Sequence, residues 1–256
     1  MMKQLVSNLP DNTCPNPLAM SKHPVSRRPL ASRTRLIAAL ILSLSLALSS
    51  CSTDDSDATN NQTIGSRIAE ARPGDVIQLI TQESYEGTFR VPAGVTIDGG
   101  GATIQGTGAA VFILEPGAET TVIRNLTILN DGVGIITRAP TSGRVEISNV
   151  TIQSRIGAGL IIEGASELIL SDLTLDGLVT DADLAQIGSI IDPRQRSVLG
   201  IAAWKVQSVQ MNRVDIKNYA GFGAAFYQSP TTWSFGTVSG CVGVSVIAED
   251  SLLHRK

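Results

Sequence analysis

The sequence predicts an all-β fold, a right-handed parallel β-helix of about six to seven coils with a short N-terminal capping helix. Three observations predict it. Aromatic residues are scarce at 4% while glycines number 24, which suits short strands and tight turns better than helix bundles. Strand-like runs occur as VIQLI at Val76, FRV at Phe89, VTI at Val95, ATI at Ala102 and VFIL at Val111, with Gly, Pro or Asn between them. Above all, one unit recurs as RNLTIL at Arg124, SNVTIQ at Ser148, SDLTLD at Ser171 and MNRVDI at Met211.

The recurrence places Asn125, Asn149 and Asp172 at steps of 24 and 23 residues, and Asn212 a further 40 residues on. That last step must carry an insertion. A second unit keeps phase with the first, as VGIIT at Val133, AGLII at Ala158, LGIAA at Leu199, FGAAF at Phe222 and VGVSV at Val242. About this many residues make a coil of three short strands and three turns. Parallel pairing between stacked coils satisfies the backbone, and inward side chains form one apolar column. The Asn or Asp before each VTI-like strand belongs at a bend, because short polar side chains tolerate left-handed backbone and bond locally. Asn125, Asn149, Asp172 and Asn212 are therefore expected to form a structural ladder at one corner.

The elements follow in chain order. Arg27, Arg28, Arg33 and Arg35 precede an apolar run from Leu36 to Leu48, which at about thirteen residues is too short to span a membrane and suits a signal peptide core. The run ends in LSSC, from Leu48 to Cys51, which resembles the lipobox of bacterial lipoproteins. The resemblance implies cleavage before Cys51, acylation of that residue and anchoring in a membrane. With Ser52 and not Asp next, it implies the outer membrane of the bacterial envelope. Residues 1–50 are thus expected to be a signal peptide, and the first nineteen a misplaced start, since Met20 lies at a more natural distance from the arginines. Residues 51–62 read as a polar tether. The β-helix is expected over residues 63–256, opening with one amphipathic turn marked by Ile64 and Ile68 and stopped by Pro73-Gly74. That helix would cap the open end of the first coil. No capping segment follows VGVSVIAED, so the β-helix is expected to be C-terminally truncated.

IAEARPGDVIQL from Ile68, SYEGTF from Ser84, VTIDGGGATIQG from Val95 and the RNLTI-type repeats together resemble the pectate-lyase-like superfamily of right-handed β-helix proteins. The resemblance runs from about Thr63 to the end and concerns architecture more than activity. It implies that any activity lies along a groove on one strand of each coil. Leucine-rich repeats are excluded by the missing leucine spacing, and a sandwich predicts neither the fixed phase nor the repeated corner.

The groove residues restrict the chemistry. With Ile135, Leu160, Ile201, Ala224 and Val244 inward, Ile136, Ile161, Ala202, Ala225 and Ser245 face outward. That column lacks the clustered aspartates of calcium-dependent pectate lyases and the paired carboxylates of a glycoside hydrolase. No catalytic residue is assigned and no cofactor is expected. The next column, Arg138, Glu163, Trp204 and Tyr227, comes at matching phase. Trp204 and Tyr227 on adjacent coils would offer an aromatic surface for sugar rings, with Lys205 and Gln228 as polar neighbours. The insertion from Leu178 to Ser197 is a second candidate. Asp181, Asp183 and Asp192 suggest a cation such as calcium, and Arg194 and Arg196 a carboxylate, although no known calcium-loop spacing is present.

From Cys51 onward the net charge is about −8, which argues against nucleic acid as a partner. Cys14, Cys51 and Cys241 make no disulfide framework, and Cys241 is expected to be an inert buried thiol. The expectation is a monomeric envelope lipoprotein that binds polysaccharide. The alternatives are a non-catalytic structural or adhesive lipoprotein and the remnant of a polysaccharide lyase, epimerase or hydrolase.

Overall fold

The structure, a computed structural model, describes residues 59–81, 83–155, 157–178, 197–241 and 245–255. Cys51, the tether before Thr59 and the insertion residues Asp181, Asp183, Asp192, Arg194 and Arg196 lie outside the described residues. Among those described, no helix is long and apolar enough to cross a membrane.

Helix α1 (Thr59–Glu70) opens the domain. Strands β1 (Val76–Gln78), β2 (Ser84–Glu86), β3 (Phe89–Val91), β4 (Thr96–Gln105), β5 (Ala110–Leu114) and β6 (Thr121–Asn130) follow. Next come β7 (Val133–Thr137), β8 (Arg144–Ser154), β9 (Gly157–Glu163), β10 (Glu167–Asp176), β11 (Ser197–Trp204) and β12 (Val209–Lys217). The last are β13 (Phe222–Tyr227), β14 (Thr231–Ser234), β15 (Val238–Ser239), β16 (Val246–Glu249) and β17 (Leu253–Arg255). They form a parallel β-solenoid of about 7 turns. One sheet runs β1-β4-β6-β8-β10-β12-β14-β17, with β2 and β15 beside it, and the other runs β16-β13-β11-β9-β7-β5-β3. Every strand pairs with the strand one coil away, so the short apolar runs of the sequence become rungs.

The long strands β6, β8 and β10 each contain a bend at the expected polar residue. Asn125, Asn149 and Asp172 have φ of 59°, 52° and 55°. The bend switches which alternate residues face inward, so Ile123 and Leu126, Ile147 and Val150, and Leu170 and Leu173 are all buried. Each central coil has two strands where three short ones were expected, a long one divided by this bend and a short one. The Asn149 side-chain amide donates to Asn125 Oδ1 at 3.0 Å, and the Asn125 amide donates to Asp98 Oδ1 at 3.0 Å.

The ladder corrects the expectation in its fourth coil. Asn212 lies opposite Ser171, and Leu173 lies opposite Val214. The bend therefore falls at Arg213, with φ of 53°, and not at Asn212. Apolar alternation around Met211 and Val214 sets the position of the bend, whatever residue stands there. Arginine gains nothing locally from left-handed geometry, a state that costs about 1–2 kcal/mol. Its fork is instead joined to both oxygens of Asp172 on the preceding coil, the strong bidentate arrangement.

A second file runs down the other sheet. Gly134, Gly159, Gly200 and Gly223 hold the second position of the VGII-type unit. A Cβ at Gly159 would lie 2.6 Å from the Gly200 carbonyl oxygen, and one at Gly200 2.4 Å from that of Gly223. Glycine is required here because neighbouring coils approach too closely for any side chain. Helix α1 closes the first coil, with Ile64 and Ile68 buried beside Leu79, Tyr85, Phe89 and Phe112. It starts at Thr59, before the apolar periodicity begins.

Candidate functional site

The inward column of the seven-stranded sheet contains Ile135, Leu160, Ile201 and Ala224, all fully buried. Their outward neighbours are closed as well. Ile136 is 3% exposed, Ile161 7% and Ala202 3%, so this stretch offers no open groove to a ligand. The last coil also corrects the expected phase. Ala224 lies opposite Val246 and Ala225 opposite Ile247, two residues beyond the positions expected for Val244 and Ser245. The Ser245 carbonyl accepts the Ala224 N–H at 3.0 Å.

Ligand-accessible chemistry lies at the end of these strands, where the chain turns back to the larger sheet. Trp204 lies opposite Glu163 on one side and Tyr227 on the other, and Tyr227 lies opposite Glu249. The Trp204 and Tyr227 ring centroids are 4.4 Å apart with the planes inclined at 42°. Both side chains are half-buried. Because strands in a sheet stand about 4.8 Å apart, the two rings lie over one another along the solenoid and form a short aromatic stack. Such a pair contributes about 0.5–1.5 kcal/mol beyond the area it buries.

Lys205 and Gln228 follow the two aromatics at the corner. Both are exposed and both have positive φ, 53° and 48°. The corner is held from the next coil. The Lys205 N–H donates to the Tyr227 carbonyl at 2.9 Å, and the Gln228 N–H to the Glu249 carbonyl at 3.0 Å. Buried Ser229 fixes the interior. Its Oγ accepts the Val206 N–H at 3.0 Å and donates to the Tyr227 carbonyl at 2.8 Å, while its own N–H donates to Ser251 Oγ at 2.8 Å. Rigid backbone thus sets the aromatic pair and its two polar neighbours in place.

Arg138 belongs to the same file but is engaged elsewhere. Its Nη1 contacts both carboxylate oxygens of Glu115 at 3.2 Å, and Arg90 reaches the same carboxylate at 3.2 Å. Glu115 and Glu249 had no place in the sequence reading. Glu115 precedes a Pro-Gly turn that breaks the repeat pattern, and Glu249 was hidden by the phase error of the last coil.

Other charged groups pair between coils. Asp98 carries a carboxyl held below the usual range, chiefly by the Asn125 side-chain amide and further by the Gly100 N–H and Arg124. Arg213 lowers Asp172 in the same way. Cys241 is half-buried, not fully buried as expected, and burial raises its pKa, which keeps it a thiol and a poor nucleophile. Tyr219 is fully buried; its pKa is raised, mainly by burial, and its hydroxyl stands where a Cβ on Gly159 would come within 3.0 Å. Among the described residues no group of three or more His, Cys, Asp or Glu could hold a metal ion. No protein-family model matches the chain, and no curated protein matches it.

Proposed function

We propose that this protein is an envelope-anchored β-solenoid that binds polysaccharide at the Trp204–Tyr227 stack. The observation that carries the reading is that pair, half-exposed at a corner where the neighbouring backbone is fixed from the next coil. Sugar rings present apolar C–H faces and hydroxyl edges. A tilted aromatic pair flanked by an ammonium and an amide supplies a matching surface. The signal-like segment ending at Cys51 supports delivery through the bacterial membrane and anchoring there, in the outer membrane, by an acylated cysteine. The repeats from Asn125 onward support descent from the pectate-lyase-like β-helix proteins, without their acidic catalytic clusters.

A structural or adhesive scaffold is the second reading. It is favoured by the closed column of Ile136, Ile161 and Ala202 and by the pairing of Asp98, Glu115, Asp172 and Asp176 with cations on neighbouring coils.

A glycan array probed with the full chain separates the two. Wild type is expected to retain a restricted set of glycans, and Trp204→Ala and Tyr227→Ala each to lose them while circular dichroism stays unchanged. Equal signals from wild type and both variants would move the function away from this corner. No retention by any of the three would leave the scaffold reading.

A further inference from the structure

The charge around the aromatic stack constrains the ligand. Glu163, Trp204, Tyr227 and Glu249 follow one another on four adjacent coils. Tyr227 covers one side of the Trp204 ring, and the coil of Glu163 lies on its other side. A positive group between Glu163 and Trp204 would meet a carboxylate and a π-face together, two partners that attract the same sign of charge. A negative group in the same place would meet the Glu163 carboxylate and be repelled.

Glu163 differs from the carboxylates that are paired between coils. Asp98 is joined to Arg124, Glu115 to Arg90 and Arg138, Asp172 to Arg213 and Asp176 to Lys217. Among the described residues no ion pair or hydrogen bond engages the Glu163 carboxylate. Arg138, the preceding member of the file, is turned to Glu115. A carboxylate left without a cation beside a half-exposed indole is an arrangement that a ligand cation completes.

We infer that this file takes an amine-bearing glycan, a hexosamine chain with free ammonium groups. One ammonium sits between the Glu163 carboxylate and the Trp204 ring, and the sugar rests on the aromatic stack. The inference rests on the polysaccharide reading above and narrows it. Lys205 favours a glycan over a lysine-rich peptide. Its ammonium can donate to the hydroxyls that a sugar chain carries and a lysine-rich peptide lacks.

Titration calorimetry of the full chain with three probes of equal length tests this: a deacetylated glucosamine oligomer, its fully N-acetylated counterpart and a uronate oligomer. The glucosamine oligomer is expected to bind at least tenfold more tightly than the other two, and more weakly as salt rises. Glu163→Gln, which keeps shape and removes charge, is expected to abolish that preference, the glucosamine oligomer falling to the affinity of the N-acetylated one. Equal binding of charged and neutral oligomers, with Glu163→Gln silent, would overturn the inference and leave the polysaccharide reading standing. Absence of binding by all three would overturn the inference, and the glycan array would then decide the polysaccharide reading. An oligolysine that bound as tightly as the glucosamine oligomer, and was lost in Glu163→Gln, would show a cationic protein to be the partner and overturn the glycan assignment.

Discussion

At Gly159 a single methyl group decides whether two coils can stack. An alanine there places Cβ 2.6 Å from the Gly200 carbonyl and 3.0 Å from the Tyr219 hydroxyl, contacts that only backbone movement can relieve. Gly159→Ala is expected to destabilise the fold by about 1–3 kcal/mol, read as a lower urea midpoint. Gly65→Ala is the contrast. Its Cβ would meet nothing within 4 Å on α1, so the same measurement should show a gain of about 0.5–1 kcal/mol. The sequence displayed these glycines as a regular letter in VGII, AGLI and LGIA. Their steric reason was not legible, because it lies in a neighbour more than twenty residues away. The Asn corner was legible through Asn125 and Asn149, whose side chains suit left-handed backbone. It failed at Asn212, where residue identity was matched and the apolar register was not. Asp98 adds a pH dependence to this corner. Its folded pKa is depressed, so its contribution is fully present above the unfolded value of about 3.9 and is lost as pH falls through the lower folded value. Asp98→Asn should therefore be less stable than wild type at neutral pH, with the gap closing below about pH 4 in acid titrations followed by circular dichroism.

Helix α1 shows what one element contributes. Ile64 and Ile68, one turn apart, lie on the apolar end of the first coil and cover strands that would otherwise present a free edge. Their spacing made the helix legible. Its first turn was not, because TNNQ before Thr63 is polar and carries no periodicity. Truncating Ile68 to Ala is expected to cost about 2–5 kcal/mol, with faster hydrogen exchange concentrated in β1, β2 and β3. Uniform acceleration through β8 and β10 would show instead that the cap and the central coils unfold as one unit.

Over the whole molecule, stability is expected to be a sum of coil terms and nearest-neighbour terms. The sequence period of 23 and 24 residues made the solenoid legible because each coil uses a fixed number of residues to return to the same edge. The aromatic corner was legible in part for the same reason. Trp204 and Tyr227 stand 23 residues apart, and Glu163 falls in their file. Glu249 escaped because the letters VGVSV repeat the motif two residues ahead of the strand that pairs with β13. Exchange protection should be highest in the central coils. It should be lower toward β16 and β17, where Val246 and Leu253 are only partly buried against the core.

Polysaccharide binding as proposed requires that stacking bring residues of separate coils into one binding surface. A double-mutant cycle for glycan binding tests it directly, with Trp204→Ala, Tyr227→Ala and the combined variant measured against the glucosamine oligomer. If the two rings act as one platform, either substitution should remove most of the binding energy, and the double variant should be scarcely worse than the weaker single one. Losses that simply add would mean that each ring meets the ligand independently and that the stack has no functional role.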